Sequence, residues 1–368
     1  MSNRPRTLLH AFSTFRLGGP QARFVQLANA LGPGYEHHVV AMDNRFDAGS
    51  RLAAQVRWQP VEMDVRKGGL LANRSRCRQQ LQQLQPDLLL TYNWGAIEWA
   101  AANLPRAVAQ VHVEDGFGPE EAQTQLARRV WTRRVVLGWG RVPVVVASRR
   151  LEAIACDVWR LPAARVRHIP NGVAMPARTV RPATGRCLCI GTVAGLRPEK
   201  NLARLVRAFA RLRAEQPARL VLVGEGALRG ALQELAQSLQ VAQDVEFTGY
   251  LEDPAPRLAE LDLFALSSDT EQLPIALLEA MASGLPVVAT RVGDVGAVLA
   301  DVSPENVCAP DDEAFFHTLR TAVAQRDRWP VWSERGRAVV QAHYAEAGML
   351  AAWQAVFDGR CFAPETPH

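Results

Sequence analysis

Short runs of apolar residues alternate with longer amphipathic segments along the first half of the chain. A run without polar interruptions is typical of a parallel strand buried between two helix layers, and the amphipathic segments between the runs predict helices. Such alternation favours a doubly wound parallel sheet. The predicted strands are Thr7–Phe12, His37–Met42, Leu88–Tyr92, Ala107–Val113, Val144–Ser148 and Val166–Ile169, and the helices are Pro20–Leu31, Leu70–Gln85 and a long one from Glu120.

The pattern breaks into Pro, Asn, Gly and Arg at Pro170–Pro182, which indicates a linker, and then resumes. We therefore predict an α/β protein of two Rossmann-like domains, residues 1–175 and 176–345. The final residues, 346–368, are expected to form a helix that crosses back to the first domain. In the second half the predicted strands are Leu188–Val193, Leu220–Val223, Val245–Thr248, Leu263–Ser267 and Leu285–Thr290, and the helices are Leu202–Ala214, Ala227–Leu239, Pro256–Leu261 and a pair within Trp329–Phe357.

Charge is divided unevenly between the two halves. Residues 1–175 hold 23 Arg and Lys against 13 Asp and Glu, a balance of +10, and the remaining 19 and 24 leave −5 in residues 176–368, which together make the net charge of +5. The first half should therefore meet an acidic partner. Its arginines concentrate around Trp131 and Trp139, a combination compatible with anionic lipid headgroups, and a solvated helix face is the alternative. The arginines are Arg128, Arg129, Arg133, Arg134 and Arg141.

Two further patterns bear on the compartment. The chain has no apolar stretch of 18 residues and no charged-then-apolar leader, and its six cysteines lack the spacing of a disulfide framework or a zinc site. We expect a cytoplasmic protein, in peripheral contact with the inner face of the membrane at most.

Two carboxylates flank the start of a short apolar helix in residues 268–290. Pro274 suits the first helical position, Gly284 suits the helix stop, and the run after it predicts a strand. Glu271 then lies in the loop before the helix and Glu279 about two turns into it. Both side chains can point to the helix N-terminus, where free N–H groups attract anions such as a diphosphate. The alternative for either residue is a solvated glutamate that favours the helix dipole.

The whole segment Glu-x-Leu-Pro-x-x-Leu-Leu-Glu-Ala-Met-Ala-x-Gly-x-Pro-Val-Val-Ala-Thr resembles the Glu-x7-Glu signature of the retaining family 4 glycosyltransferases. The resemblance implies the GT-B fold, in which two Rossmann-like domains face each other across a cleft. It also implies a nucleoside diphosphate-sugar donor, held by residues 176–345, with the acceptor on the side of residues 1–175. Gln272 departs from the family, which usually has Gly or Phe-Gly there, and this affects the sugar preference.

The resemblance extends to residues at other predicted strand ends. Arg197 and Lys200 are implied to neutralise the diphosphate leaving group, Glu279 to bind the ribose, Glu271 to bind the sugar hydroxyls, and His112 to contact the reacting sugar. Lys200 is one of only two lysines in the chain, which favours a need for Lys there. Gly18 and Gly19 are implied to lie against the donor diphosphate or the acceptor. Gly224, Tyr250 and Leu251 are implied to hold the nucleotide base.

We therefore predict a retaining glycosyltransferase that acts on a glycan or lipid-linked acceptor in bacterial-type surface polysaccharide or glycolipid synthesis. A UDP-sugar or a GDP-sugar is the expected donor. No Asp-x-Asp occurs in the chain, so no metal or other cofactor is expected. We expect no nucleic-acid partner. The alternatives are another GT-B sugar-nucleotide enzyme such as an epimerase, and a non-catalytic basic binding protein.

Overall fold

A computed structural model describes residues 4–64, 70–117, 119–121, 124–176 and 187–362. The chain divides into two compact units. The first comprises Met1–Asn171 together with Ala347–His368, and the second comprises Gly172–Glu346. The sequence-based boundaries, 175/176 and 345/346, lie within four residues of these divisions.

The first unit is built on a seven-stranded sheet in which every pairing is parallel. The order is β3-β2-β1-β4-β5-β6-β7, so the strand order reverses between β1 and β4. The sequence patterns missed β3, because it is a polar, largely exposed edge strand that contains Pro60. The strands are β1 Arg6–Phe12, β2 Tyr35–Ala41, β3 Arg57–Val61, β4 Leu88–Tyr92, β5 Gln110–Glu114, β6 Val144–Val146 and β7 Val166–His168.

Helices cover this sheet on both faces. The long helix expected from Glu120 instead begins at Ala127, and it continues into a π-helical segment, Arg134–Trp139. A second π-helical segment, Ile154–Val158, follows the short α5. The helices are α1 Gly19–Leu31, α2 Leu70–Leu84, α3 Ile97–Ala102, α4 Ala127–Arg133 and α5 Arg149–Ala153.

The second unit has a six-stranded parallel sheet of order β10-β9-β8-β11-β12-β13, which reverses between β8 and β11. Apolar side chains on its two faces form two cores, one under α6, α7 and α11 and the other under α9, α10 and α12. The strands are β8 Leu188–Val193, β9 Ala218–Val223, β10 Val245–Gly249, β11 Leu263–Leu266, β12 Val287–Thr290 and β13 Val307–Cys308. The helices are α6 Leu202–Glu215, α7 Arg229–Ser238, α8 Ala255–Leu258, α9 Ile275–Ala282, α10 Val295–Val298, α11 Asp312–Ala324 and α12 Trp329–His343.

The last helix, α13 Glu346–Phe357, returns to the first unit. Trp353 and Phe357 are fully buried there in the same core as Phe24 of α1. Tyr35 donates a hydrogen bond of 2.7 Å from its hydroxyl to Asp358, just beyond the helix. The first unit therefore depends on residues from both ends of the chain.

Candidate functional site

The loops that follow β8 and β11 lie side by side in the second unit. In a doubly wound sheet, ligands bind beyond the carboxyl ends of the strands at the point where the strand order reverses, and in this unit that point lies between β8 and β11. The first loop carries Arg197 and Lys200, and the second carries Glu271. The strand order therefore places Arg197, Lys200 and Glu271, on which the predicted donor site depends, at the same edge of the sheet.

Lys200 and Glu271 form a direct ion pair. The Lys200 Nζ lies 2.6 Å from Glu271 Oε1, and the side chains are 19% and 10% exposed, respectively. The hydroxyl of Ser268 donates a second hydrogen bond, of 2.7 Å, to the same carboxylate oxygen. Hydrogen bonds to an ionised carboxylate are short and strong, so Glu271 is held in one orientation.

Backbone contacts hold the two loops together. The buried Ser267 hydroxyl contacts the carbonyl oxygens of Lys200 and Asn201, at 3.1 and 3.0 Å, and the Asp269 N–H donates to the carbonyl oxygen of Glu199. Asn201 adopts a left-handed conformation, φ 39°, and its side chain caps the first turn of α6. The distance between Lys200 and Glu271 is therefore set by the contacts between the two loops as well as by the ion pair.

Arg197 is placed differently from Lys200. Its side chain is 58% exposed, and its Nε lies 3.1 Å from Glu199 Oε1 on the same loop. The structure therefore pairs Lys200, rather than Arg197, with Glu271. An exposed guanidinium on this loop remains within reach of an anion that binds at the edge of the sheet.

Glu279 is the fifth residue of α9, which begins at Ile275, so it lies about one turn into the helix and not the two turns that were predicted. Burial raises the pKa of its carboxyl group, and the nearby carboxylate of Asp253 raises it further. Pro274 precedes the first helical residue, Ile275, as the N-cap with an extended ψ of 119°, and so is not the first helical residue that the sequence predicted. The carboxylate at 279 is thus held in a partly desolvated position one turn inside the helix.

Glycines allow the loops after β8, β9 and β10 to approach one another closely. Gly224 has φ +142°, and a Cβ there would lie 1.9 Å from the carbonyl oxygen of Ala194. The Gly224 N–H donates to Gly249, beside the exposed Tyr250 and the half-buried Leu251. The predicted nucleotide contacts Gly224, Tyr250 and Leu251 therefore lie at the same sheet edge as Lys200.

Gly18 and Gly19 lie at the start of α1 in the first unit. Gly18 is the N-cap and Pro20 occupies the second helical position. A Cβ at Gly19 would meet no atom within 4 Å, whereas one at Gly18 would lie 2.8 Å from Gln21 Oε1. The loop follows β1, the strand at which the order of this sheet reverses.

The prediction that His112 lies at the end of its strand is wrong. β5 runs from Gln110 to Glu114, so His112 occupies its middle and is fully buried. Its Nδ1 lies 2.8 Å from Thr91 Oγ1, and its Nε2 lies 3.6 Å from Glu114 Oε2. The ring is thus enclosed, because the strand continues through the buried Glu114, one residue beyond its predicted end.

Two of the five clustered arginines are internal rather than superficial. Arg133 is fully buried, where it contacts Glu114 and Glu121 and lies 4.8 Å from the centre of the Trp159 ring. Arg129 pairs with Glu120 and Glu121. Two arginines and three glutamates separated in sequence therefore form one cluster of ion pairs, of which only Glu120 is largely exposed. Trp131 and Trp139 remain on the surface, 64% and 82% exposed, together with Arg128, Arg134 and Arg141.

The serines that orient the site were not predicted from the sequence. Ser267 and Ser268 follow β11 and lie shortly before Glu271, and their hydroxyls reach the Lys200 loop and Glu271. Hydroxyl residues at the end of a buried strand were the available signal, although the same residues are common in ordinary turns.

Two negative findings apply to the described parts of the chain. Within residues 4–64, 70–117, 119–121, 124–176 and 187–362, no three His, Cys, Asp or Glu side chains are grouped so as to hold a metal ion. Over the same ranges, every helix is too short or too polar to cross a membrane.

Comparison with known proteins supports the sequence resemblance. A model described as "Glycosyltransferase Family 4" matches residues 17–175, and one described as "Glycosyl transferases group 1" matches residues 185–325. The N-acetyl-alpha-D-glucosaminyl L-malate synthase of Bacillus anthracis is 34% identical over 120 residues, which are 33% of this chain and 32% of that protein. A GDP-mannose-dependent phosphatidylinositol monomannoside mannosyltransferase of Mycolicibacterium smegmatis is 31% identical over 219 residues, 48% of this chain and 57% of that one.

The matches to these relatives therefore span about a third to somewhat over half of their length. Solved structures match almost the whole chain. Anabaena HepE in complex with UDP aligns with a TM-score of 0.79 at 16% identity, covering 96% of this chain and 100% of that one. A glycosyltransferase from Rickettsia africae aligns with a TM-score of 0.77 at 14% identity, covering 97% and 98%. Sequence models over both units and the shared fold lead to one conclusion: this chain belongs to the family 4 glycosyltransferases of the GT-B fold.

Proposed function

We propose that the protein is a retaining glycosyltransferase that moves a sugar from a nucleoside diphosphate-sugar to a glycan or lipid-linked acceptor in surface polysaccharide or glycolipid synthesis. The observation that carries the proposal is the Lys200–Glu271 pair at the point where the strand order of the second sheet reverses. A cation and an oriented carboxylate are the groups required to bind a diphosphate and the hydroxyls of the sugar attached to it.

Each residue has a defined part in this proposal. Glu279 accepts hydrogen bonds from the ribose, and Glu271 accepts them from the transferred sugar. Lys200 and Arg197 bind the diphosphate, while Gly224 and the backbone at Tyr250 and Leu251 lie against the nucleotide. Gly18 and Gly19 lie at the N-terminus of α1, which binds the diphosphate or the acceptor. The role of His112 at the reacting sugar also stays a proposal, and it requires the groups that enclose the ring to open.

The chemistry of transfer needs few protein groups. The bond between the anomeric carbon and the phosphate oxygen breaks as the acceptor oxygen forms a bond on the same face of the sugar. The acceptor proton passes to the departing phosphate oxygen, so the configuration is retained without a protein nucleophile. Lys200 and Arg197 stabilise the charge that develops on the diphosphate, as preorganised cations do in other phosphate sites.

We further propose that this reaction needs no divalent metal. The support is the presence of two cations, Arg197 and Lys200, on the loop that would face the diphosphate. The test is to treat the enzyme with EDTA and measure its rate of transfer, which is expected to be unchanged. Loss of activity that Mg²⁺ or Mn²⁺ restores would contradict the proposal.

The donor is best identified by thermal unfolding in the presence of UDP-glucose, GDP-mannose and an ADP-sugar. Similarity to a GDP-mannose-dependent enzyme and to HepE, which was solved with UDP-glucose, makes the first two the leading probes. A ligand at 100 times its dissociation constant stabilises a protein by about 2.7 kcal/mol. If none of the three raises the unfolding temperature, the donor proposal fails. Release of an isomerised nucleotide-sugar without any acceptor would instead identify an epimerase.

A membrane contact forms the last part of the proposal. The exposed residues Arg128, Trp131, Arg134, Trp139 and Arg141, here called the Arg/Trp face, combine cations with aromatic rings that favour a lipid headgroup region. The enzyme would then bind a lipid-linked acceptor at the cytoplasmic surface of an anionic membrane. A solvated face remains the alternative, and vesicle binding distinguishes the two.

A further inference from the structure

The loop after β12, Arg291–Asp294, packs directly against the backbone of Glu271 and Gln272. Because β11 and β12 are parallel neighbours, their carboxyl ends lie at the same edge of the sheet. The Asp294 N–H donates a hydrogen bond of 2.8 Å to the carbonyl oxygen of Gln272. Glu271 and the residue that follows it are thus in contact with a loop that the Glu-x7-Glu segment does not include.

Gly293 permits the closest of these contacts. Its φ of +53° lies in the left-handed region, which favours glycine. A Cβ at this position would lie 2.3 Å from the carbonyl oxygen of Gln272 and 2.5 Å from that of Glu271. Both obstructing atoms belong to the backbone, so any side chain at 293 would have to displace the segment that carries Glu271.

Thr290 makes a complementary contact on the other side of the same segment. This residue is fully buried at the end of β12, and its hydroxyl donates to the carbonyl oxygen of Ser268 at 2.6 Å. Ser268 in turn donates from its own hydroxyl to the carboxylate of Glu271. A chain of two hydrogen bonds therefore joins Thr290 to the carboxylate that pairs with Lys200.

We propose that Thr290 and Gly293 are positioning residues that set the orientation of the Glu271 carboxylate toward the transferred sugar. This inference rests on the proposed function, since it assigns the sugar to Glu271. Neither residue needs to touch the donor: Thr290 acts through Ser268, and Gly293 acts through the backbone of Glu271 and Gln272. A displacement of the carboxylate would weaken contacts with the sugar and leave the nucleoside diphosphate contacts in place.

The test compares the affinity for a nucleotide with that for its sugar conjugate, UDP against UDP-glucose and GDP against GDP-mannose, by calorimetry. Gly293→Ala and Thr290→Val should each weaken binding of the nucleotide-sugar by roughly 10-fold or more, the scale of one lost hydrogen bond to a charged group. Affinity for the free nucleoside diphosphate should stay within about threefold of wild type on the same argument. Thr290→Ser keeps the hydroxyl and should restore wild-type binding.

Gly296→Ala is the matched control for Gly293→Ala. A Cβ at Gly296 would meet only side-chain atoms of Arg291, at 3.4 and 3.5 Å. The control should bind both ligands as wild type does. Equal losses of nucleotide and nucleotide-sugar affinity, or no loss in either variant, would overturn the inference. If Gly293→Ala does not fold, the Val and Ser variants of Thr290 decide. If wild-type protein binds neither pair of ligands, the donor proposal has failed instead.

Discussion

At the scale of single residues, the central feature is a lysine that pairs with a carboxylate at the edge of the second sheet where the strand order reverses. A partly buried ion pair contributes little net stability, because desolvation offsets most of the attraction. The Lys200–Glu271 pair is therefore better explained by ligand binding than by folding. A compact ammonium group on a flexible stem can turn from Glu271 toward a phosphate, whereas a planar guanidinium would keep its paired geometry.

Lys200→Ala should lower turnover by roughly 100-fold, the effect expected when one preorganised charge is removed from a developing anion. Lys200→Arg should recover part of this loss. The measurement is the rate of donor cleavage, with Arg197→Ala for comparison, since that exposed side chain pairs with Glu199 and should cost less. A Lys200→Ala enzyme that works within threefold of the wild-type rate would show that another group binds the diphosphate.

The ionised carboxylate of Glu279 should lower the stability of the fold while it strengthens binding of the nucleoside diphosphate. Because its pKa is raised in the folded state, ionisation opposes folding, and this cost grows as the pH rises through the interval between its ordinary and raised pKa. Glu279→Gln should therefore be at least as stable as wild type at pH 7, measured by urea unfolding. The same variant should lose nucleoside diphosphate affinity by about 10-fold, because the amide accepts hydrogen bonds from the ribose less well than a carboxylate. Reduced stability together with unchanged affinity would exclude the assigned role.

At the scale of elements, the transition from α-helix to π-helix sets the angle between Trp131 and Trp139 around the helix axis. Eight residues along an ideal α-helix leave two side chains about 80° apart around the axis. The π-helical segment Arg134–Trp139 takes more residues per turn, which removes most of that offset. This geometry predicts the two indoles on one side of the helix; both are exposed, whereas Arg133 is buried.

The Arg/Trp face should bind anionic vesicles. Replacing Arg128, Arg134 and Arg141 with Gln should weaken cosedimentation with phosphatidylserine vesicles at low salt, since each arginine near such a surface contributes about 1 kcal/mol. Arg4→Gln, Arg45→Gln and Arg57→Gln together remove the same charge from other parts of the first unit and should have less effect. If wild type does not bind these vesicles, the face is merely solvated. Arg133 is excluded from the set, because its loss would leave Glu114 buried without its cation.

At the scale of the whole molecule, the chain forms two Rossmann-like units and returns to the first through α13. Val173 and Ala345 form a parallel bridge, so the outgoing and returning segments run side by side where the second unit begins and ends. The returning helix covers buried histidines of the first unit. Phe357 packs against the rings of His10 and His37, whose nitrogens lie 3.0 Å apart.

This arrangement should make the protein sensitive to acid. Burial, with a smaller effect of His38, lowers the pKa of His37 to about 4. An unfolded histidine titrates near 6.5, so the unfolded state binds more protons between those values and stability falls as the pH falls through them. The loss should reach at most about 3 kcal/mol.

The measurement for His37 is the free energy of urea unfolding between pH 7 and pH 4. His37→Phe should flatten its pH dependence relative to wild type, and His317→Gln, which changes an exposed histidine, should not. Equal pH dependence in wild type and His37→Phe would contradict the expectation.

The fold class, the positions of most strands and the family were predictable from the amino-acid sequence alone. Buried parallel strands have continuous apolar runs, and the Glu-x7-Glu segment is local, so both are readable along the chain. Features that depend on partners distant in sequence were not readable. These include the burial of His112 and Arg133, the edge strand β3, and the contact of Thr290 with Ser268.

The contacts between residues distant in sequence became known only from the folded structure. Arg197 and Lys200 are equivalent by charge and loop position, and it was the alignment of β8 with β11 that paired Lys200 with Glu271. The arginines of α4 looked like one surface cluster, yet helix geometry turned Arg129 and Arg133 toward carboxylates and left Arg128 exposed. The physical reason is the same in each case: composition and spacing specify which groups are available, whereas distance and burial arise only when strands and helices separated in sequence pack together.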